Sequence, residues 1–401
     1  MPWDNGTAPN DAPDWERMAA IVAETGADGI NGDTYSGVPL AFHRACEATG
    51  RPVVLQPETT AQAGDHILSW NLQSWTKRVP DESIPTVLKL KWLEPRHIIN
   101  IENRWSRQRT NDLQHALFNG VGYVAWENVF GFVNLFTPRD GETLRRVAMV
   151  QRRFADLIAG PDWRPYERTL QAGIFASRFP GDGRILWTLI NRQEYAIDGE
   201  QLSVPHNAGT RYFDVWNGVE LDPRIDRDRA ILSVPMAGRG FGAILALAAG
   251  QVLDGLDAFL ADMAARAVLP LDSFPARWTA AAQTLVPIAP TTPHTQAPDG
   301  MIAIPAADFD FVVHGIEIEG YAAEGVDVQY PWEESPRRHH RHRMHIDAFW
   351  IDRFPVTNAQ FRTFLADSGY APADTRNFLK HWQDGAPPAG WENKPVTWVS
   401  L

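Results

Sequence analysis

The chain has 401 residues, a length that favours two or three domains over one. Its formal net charge of −12 argues against nucleic acid as the main partner, because surfaces that bind nucleic acid are strongly basic. No apolar run approaches the roughly 20 residues of a membrane-spanning helix, and the single cysteine, Cys46, excludes an internal disulfide. The composition therefore predicts a soluble multidomain protein without a membrane span, in a compartment that the sequence does not indicate.

Residues 1–162 alternate between short apolar runs and helical stretches. The helical stretches carry start and stop signals, as in "DWERMAAIVAETG", where Asp14 is the expected N-cap and Gly26 the stop. Alternation of this kind predicts parallel strands joined by right-handed crossovers. The strands amount to about half of an eight-stranded barrel, so we predict a partial (β/α) barrel. We also expect "MPWDNGT" to be the end of a strand that begins before Met1, which leaves a signal peptide unassessable.

Four apolar runs of this segment each end at or beside an acidic residue: Asp33, Glu58, Glu102 and Glu127. The carboxyl ends of barrel strands carry the active site, and glycoside hydrolysis requires two carboxyl groups about 5–9.5 Å apart. Nearby tryptophans could stack on sugar rings: Trp3, Trp70, Trp75, Trp105 and Trp126. We therefore predict the four acids as candidate catalytic residues of a glycosidase-like barrel. The alternative is that they cap helices or pair with neighbouring arginines.

The pattern changes after the barrel segment. Residues 163–249 contain short strand signals separated by turns, among them "ILWTLINR", "AILSVPM" and "FGAILAL", and we predict an antiparallel β-sandwich. Residues 250–299 are predicted to form one amphipathic helix and a linker, because "LVPIAPTTPHTQAPDG" is rich in Pro and Thr. A barrel followed by a sandwich is an arrangement found in glycoside hydrolases. The last domain is predicted to span residues 300–401.

The stretch "HHRHRMHIDAFWID" alternates from His340 onward, which predicts a strand. Histidines at i and i+2 on one strand face, such as His340 and His342, could hold a metal. No cysteine or carboxylate cluster stands beside them, however, so we predict an exposed edge strand that carries Arg and His side chains. A nucleic-acid surface is not favoured, because the segment just upstream, "IEIEGYAAEGVDVQYPWEE", is acidic.

The C-terminal motifs resemble those of a known superfamily. They are "MIAIPAADF" (301–309), "ESP" (334–336), "FWIDRFPVTNAQF" (349–361) and "PVTWVS" (395–400). In this order they are similar to the formylglycine-generating enzyme, or sulfatase-modifying factor, superfamily, over roughly residues 300–401. The resemblance implies the N-terminal half of an α+β sulfatase-modifying-factor domain with a C-type-lectin-like fold. Within that half, Thr357 is the expected N-cap of a helix that stops at Gly369.

The resemblance also bears on cofactors. Formylglycine-generating enzymes bind copper through a cysteine pair in the C-terminal half of the domain, and related sulfoxide synthases bind iron through histidines outside it. No cysteine follows Cys46 here. Copper or iron is thus implied only for the full-length family domain, with ligands absent from this chain, and no metal-binding or cofactor-binding residue is predicted.

Three functions stay open at this point. The first is a fragment of a formylglycine-generating-superfamily protein, with an oxidase-type domain fused to a carbohydrate-active barrel. The second is a glycoside hydrolase whose C-terminal domain is a non-catalytic binding module. The third is a non-catalytic protein that binds sugar or a protein partner.

Overall fold

The structure, a computed structural model, describes residues 14–32, 37–58, 64–76, 79–103, 108–125, 128–129, 132–133, 136–277, 291–315, 338–373 and 375–399. Contacts divide the chain into two compact units, Met1–Ala280 and Ala281–Leu401. Within the described ranges, no helix has the length and apolar character needed to cross a membrane.

The first part of unit one alternates helices with parallel strands. Its helices are α1 (Trp15–Thr25), α2 (Leu40–Ala48), α3 (Lys89–Leu93), α4 (Thr110–Asn119), α5 (Pro138–Arg153) and α6 (Ala155–Ile158). Its strands are β1 (Gly29–Gly32), β2 (Val54–Pro57), β3 (Gln73–Thr76), β4 (Ile98–Glu102), β5 (Gly122–Val124), β6 (Asn128–Val129) and β7 (Phe132–Val133). β1 pairs in parallel with β2, and β3, β4 and β5 form a second parallel set in that order. β2 also contacts β3, which brings the two parallel sets together.

Local sequence signals set the ends of these helices. The Asp14 side chain accepts a hydrogen bond from the Arg17 backbone N–H (2.8 Å) and begins α1, and Gly26 adopts a left-handed conformation that ends it. Gly120 ends α4 in the same way, with φ of 63°. The predicted start and stop of α1 are therefore confirmed.

β3 was not predicted from the sequence, because its four residues, "QSWT", include only one large apolar side chain, Trp75. Helices α5 and α6 are separated by an interruption at Phe154. The Phe154 ring is fully buried and meets Phe259 edge to face, with 5.7 Å between ring centroids. The buried packing of the Phe154 ring stabilises the break between the two helices.

The second part of unit one is antiparallel. Its strands are β8 (Arg164–Glu167), β9 (Ile174–Gly181), β10 (Arg184–Asn191), β11 (Glu200–Pro205), β12 (Arg211–Asp214), β13 (Val219–Leu221), β14 (Arg224–Asp226), β15 (Arg229–Ser233) and β16 (Phe241–Leu247). Six form one sheet in the order β13-β12-β16-β10-β9-β8, and three form another in the order β11-β15-β14. One hydrophobic cluster draws side chains from both sheets, including Trp187 and Leu202. The predicted helix α7 (Leu256–Ala267) follows and buries Leu256, Leu260 and Met263.

Unit two contains β17 (Met301–Ile304), β18 (Ala307–Gly315), β19 (Arg338–Ile346), β20 (Phe349–Asp352) and α8 (Asn358–Ser368). β17 pairs with β20, and β18 pairs with β19, both antiparallel. Thr357 caps α8 in a reciprocal capping box with Gln360, and Gly369 ends the helix in a left-handed conformation. The predicted cap and stop of α8 are therefore confirmed.

Candidate carboxylate site

Two of the four predicted acids lie in the described part of the barrel segment. Glu58 directly follows β2, and its backbone N–H donates to the Gly32 carbonyl (3.1 Å), which extends the ladder beside β1 by one residue. Glu102 is the last residue of β4, faces Val124 of β5 in register and is only 3% exposed. The structure thus places both at strand ends, as predicted. Asp33 and Glu127 lie outside the described residues.

Glu58 lies at the carboxyl end of the parallel β1–β2 pair, and Glu102 lies at the carboxyl end of the parallel set β3-β4-β5. β3 pairs with β4 and contacts β2, so it lies between the strands that end at the two acids.

A second, fully buried group of charges lies near the end of β4, and the sequence did not single it out. It consists of Arg109, Asp112 in the first turn of α4 and Asp140 in the first turn of α5, which are 1%, 1% and 2% exposed. The Arg109 guanidinium carbon lies 4.0 Å from the centroid of the Phe136 ring, a distance typical of a cation–π contact. Tyr123 of β5 meets the same ring edge to face, with centroids 6.1 Å apart.

Burial controls the protonation of these acids. Burial raises the pKa of Asp112 to about 7, and the Asp140 charge adds to the increase, whereas the Asn103 amide and Arg109 oppose it. Burial likewise raises the pKa of Asp140, against hydrogen bonds from Thr137 and the Arg109 backbone. Within the described residues, Oδ2 of each aspartate has no hydrogen-bond partner. Asp112 can therefore keep or release a proton near neutral pH, the range in which a general acid or base acts.

Asn103 joins the two groups. It directly follows Glu102 and donates its side-chain hydrogen bond to Asp112. Asp112 is thus placed to orient the chain just beyond β4. Asp112 and Asp140 each lie in the first turn of a helix that follows a predicted strand, and this position could have revealed them from the sequence. Acids are also common in first turns because the helix dipole stabilises a negative charge there.

The tryptophans proposed to stack on sugars have other contacts where they are described. The Trp70 indole N–H donates to the Val38 carbonyl (2.7 Å) and its ring lies 5.6 Å from His66. Trp75 belongs to β3 and is partly buried. Trp3, Trp105 and Trp126 lie outside the described residues.

The basic stretch in unit two forms β19, as predicted, and its described basic side chains are exposed. Arg341 pairs with Asp310 (2.5 Å), and Arg343 pairs with Asp308 (3.1 Å). His345 Nδ1 lies 3.0 Å from the Asp308 carboxylate. The strand therefore carries a solvent-exposed ladder of polar pairs, in which each of the two Arg–Asp ion pairs contributes about 0–1 kcal/mol.

The family resemblance implies a copper site, which requires suitable ligands. A soft thiolate pair is the ligand set for Cu(I), but the one cysteine, Cys46, lies in α2 of unit one and is 2% exposed. Burial also raises the pKa of its thiol, which disfavours the thiolate. In the described ranges, no three His, Cys, Asp or Glu side chains are grouped to hold a metal ion. The residues of this chain do not fit the copper site.

Comparisons with known proteins bear on both units. Residues 289–401 match the family model of the sulfatase-modifying factor enzyme 1-like domain, which confirms the resemblance found in the C-terminal motifs. A search of curated proteins gives no match.

Solved structures similar to this chain include several glycoside hydrolases. An Anoxybacillus α-amylase has 13% identity and a TM-score of 0.42, covering 60% of this chain and 63% of its own. A family 27 β-L-arabinopyranosidase from Geobacillus stearothermophilus has 12% identity and a TM-score of 0.38, covering 60% and 62%. A family 30 endoxylanase from Clostridium papyrosolvens has 10% identity and a TM-score of 0.36, covering 58% and 71%. The chain spans about three fifths of the first two structures, and similarity at this level carries no information about its activity.

Proposed function

We propose that unit one is a carbohydrate-active module that hydrolyses glycosidic bonds at the carboxyl edge of its parallel strands. The observation that carries the proposal is the placement of Glu58 and Glu102 at the carboxyl ends of β2 and β4. In this proposal the barrel segment spans residues 1–162, a β-sandwich spans 163–249 and a helix with a linker spans 250–299. Residues 300–401 are the N-terminal half of a sulfatase-modifying-factor domain with a C-type-lectin-like fold.

The chemistry needs one carboxylic acid and one carboxylate. The acid gives its proton to the glycosidic oxygen as the bond to the anomeric carbon breaks, and the carboxylate takes a proton from the water that attacks that carbon. In this proposal Glu58 and Glu102 supply the two groups, and direct attack by water gives inversion at the anomeric carbon. Asp112 is a positioning residue, because it holds Asn103 directly after Glu102.

The test is a screen of the full chain against aryl glycosides and oligosaccharides, with release of reducing sugar as the readout. Glu58→Gln and Glu102→Gln should each lower the turnover number at least about 100-fold, since general acid–base catalysis contributes about 10²–10⁴-fold. Glu220→Gln is the matched control, because Glu220 is an exposed glutamate that pairs with Arg211 in the antiparallel sheet. Equal activity of all three variants would contradict the proposal, and an inactive wild-type chain would favour sugar binding without catalysis.

A second function is favoured for the full-length protein by the match of residues 289–401 to the sulfatase-modifying factor family. We propose that these residues belong to a domain of the formylglycine-generating type, with copper or iron held by ligands outside this chain. Within the 401 residues the domain then acts as a binding module for a peptide or a sugar. Isothermal titration of a cysteine-containing sulfatase peptide and of oligosaccharides would separate these ligands, and binding of neither would remove the module role.

A further inference from the structure

Residues 79–88, here called the strap, precede α3 and contain no regular helix or strand. Because the strap is neither helix nor strand, its backbone N–H and C=O groups need other hydrogen-bond partners. One side of α4 provides them through Asn111, His115 and Asn119, which are spaced four residues apart and so share one helix face.

The outer two of these α4 side chains bind both ends of the strap. The Asn111 amide donates to the Val79 carbonyl (3.1 Å), and the Asn119 amide donates to the Thr86 carbonyl (3.1 Å). The side-chain oxygen of Asn119, Oδ1, accepts a hydrogen bond from the Leu88 backbone N–H (2.9 Å). Neither asparagine titrates, so these bonds do not respond to pH.

The middle residue, His115, makes the bond that depends on its protonation state. Its Nδ1 lies 2.9 Å from the Asn111 carbonyl, which can only accept, so Nδ1 carries the hydrogen. Its Nε2 lies 2.9 Å from the Thr86 backbone N–H, which can only donate, so Nε2 must be the acceptor. This pair of bonds requires the neutral imidazole. A protonated ring would place an N–H against the Thr86 N–H.

The charges that face His115 come from the strap and from the antiparallel sheet. Arg192 and Arg239 both bind the Asp81 carboxylate at 2.6 Å, and Arg192 also donates to the Glu82 carbonyl and to the Asn111 and Gln114 side chains. The pKa of His115 is lowered to about 4, mainly by burial and also by the two arginines, whereas the hydrogen bond to the Asn111 carbonyl and the Asp81 charge oppose the decrease. The imidazole is therefore neutral at pH 6 and charged only in acid.

We propose that the strap is an acid-sensitive closure, latched by the hydrogen bond from the Thr86 N–H to the neutral imidazole of His115 and released when that imidazole is protonated. Release frees the strap, which bonds α4 on one side and Arg192 and Arg239 on the other. The strap then no longer connects the parallel and antiparallel parts of unit one. The inference does not depend on the proposed hydrolase activity.

Hydrogen exchange of the full chain tests the proposal. The Thr86 and Leu88 amides report strap opening, with rates normalised to those of an unstructured peptide at each pH. With a pKa of about 4 when closed and about 6.5 when open, the opening constant should rise about fortyfold between pH 6 and pH 4. Amides of β10 should keep their protection over that range. Constant protection in the strap, or an equal loss in β10, would overturn the proposal.

Two variants separate the latch from general acid sensitivity. His115→Gln can still accept from Thr86 but does not titrate, so its strap amides should change less than about threefold. His97→Gln is the matched control, because burial lowers the pKa of His97 to about 4 and its Nε2 bonds Ser74 rather than the strap. It should keep the wild-type response. In wild-type protein the ¹⁵N shift of His115 Nε2 should follow the same midpoint as strap opening, and midpoints more than one pH unit apart would overturn the proposal independently of how the variants fold.

Discussion

Replacement of Asp112 by asparagine should change how stability depends on pH. The pKa of Asp112 is about 7 in the folded chain and about 3.9 in the unfolded chain, so the folded state binds more protons between these values. This group therefore contributes stability that is complete below about pH 4 and is lost as the pH rises through 7. A shift of about three units corresponds to about 4 kcal/mol. Asp112 is 1% exposed, so solvent screening does not reduce the figure much.

The assay compares urea unfolding of the wild type and Asp112→Asn at several pH values from 4 to 8. Asparagine cannot ionise, so the variant should gain up to about 4 kcal/mol relative to the wild type between pH 4 and pH 7. The contributions of His97 and His115 to stability are the same in both proteins, so they cancel in the difference. Their lowered pKa values make the stability of each protein rise with pH from about 4 to 6.5. Asp222→Asn, at an exposed aspartate between β13 and β14, is the control for removal of a surface carboxylate. A difference for Asp112→Asn that does not change with pH would refute the reasoning, since it would mean that burial does not hold this carboxyl protonated.

Three further predictions concern other parts of the chain. Gly120→Ala should destabilise the chain by more than about 1 kcal/mol, because a Cβ there would lie 2.9 Å from the Phe179 ring on a backbone with φ of 63°; an unchanged melting temperature would contradict this. Thr357→Ala should cost about 1 kcal/mol by removing half of the capping box with Gln360, whereas Thr357→Ser should retain most of it, as measured by thermal unfolding. Incubation of the 401-residue chain with copper, O₂ and a cysteine-containing sulfatase peptide should yield no aldehyde by mass spectrometry, because its one thiol, Cys46, is buried; aldehyde formed with turnover would contradict this.

Local signals predicted the elements whose ends are determined by neighbouring residues. Asp14 with Gly26 and Thr357 with Gly369 bracket helices because each cap bonds within its own turn. β3 escaped prediction because its four residues gain their strand conformation from pairing with β4, a partner more than 20 residues away in sequence.

The candidate site was predicted only in part, for a related reason. Glu58 and Glu102 follow apolar runs, so their position at strand ends could be inferred from the sequence. Asp112 follows no apolar run, and its place in a first helical turn does not reveal its raised pKa, which arises from burial and from the charge of Asp140, 28 residues later. The strap could not be foreseen either, because side chains from α4 and from the antiparallel sheet complete its hydrogen bonds. Contacts between residues that are far apart in the sequence determine these features, so the residue pattern alone does not predict them.

The stereochemistry of hydrolysis tests the central claim most directly. ¹H NMR of the full chain acting on a cleaved glycoside should show the product sugar first with the anomeric configuration opposite to that of the substrate. This follows from the proposed roles of Glu58 and Glu102 as acid and base, with a water molecule as the nucleophile. Retention of configuration, or turnover unchanged in Glu102→Gln, would contradict the account.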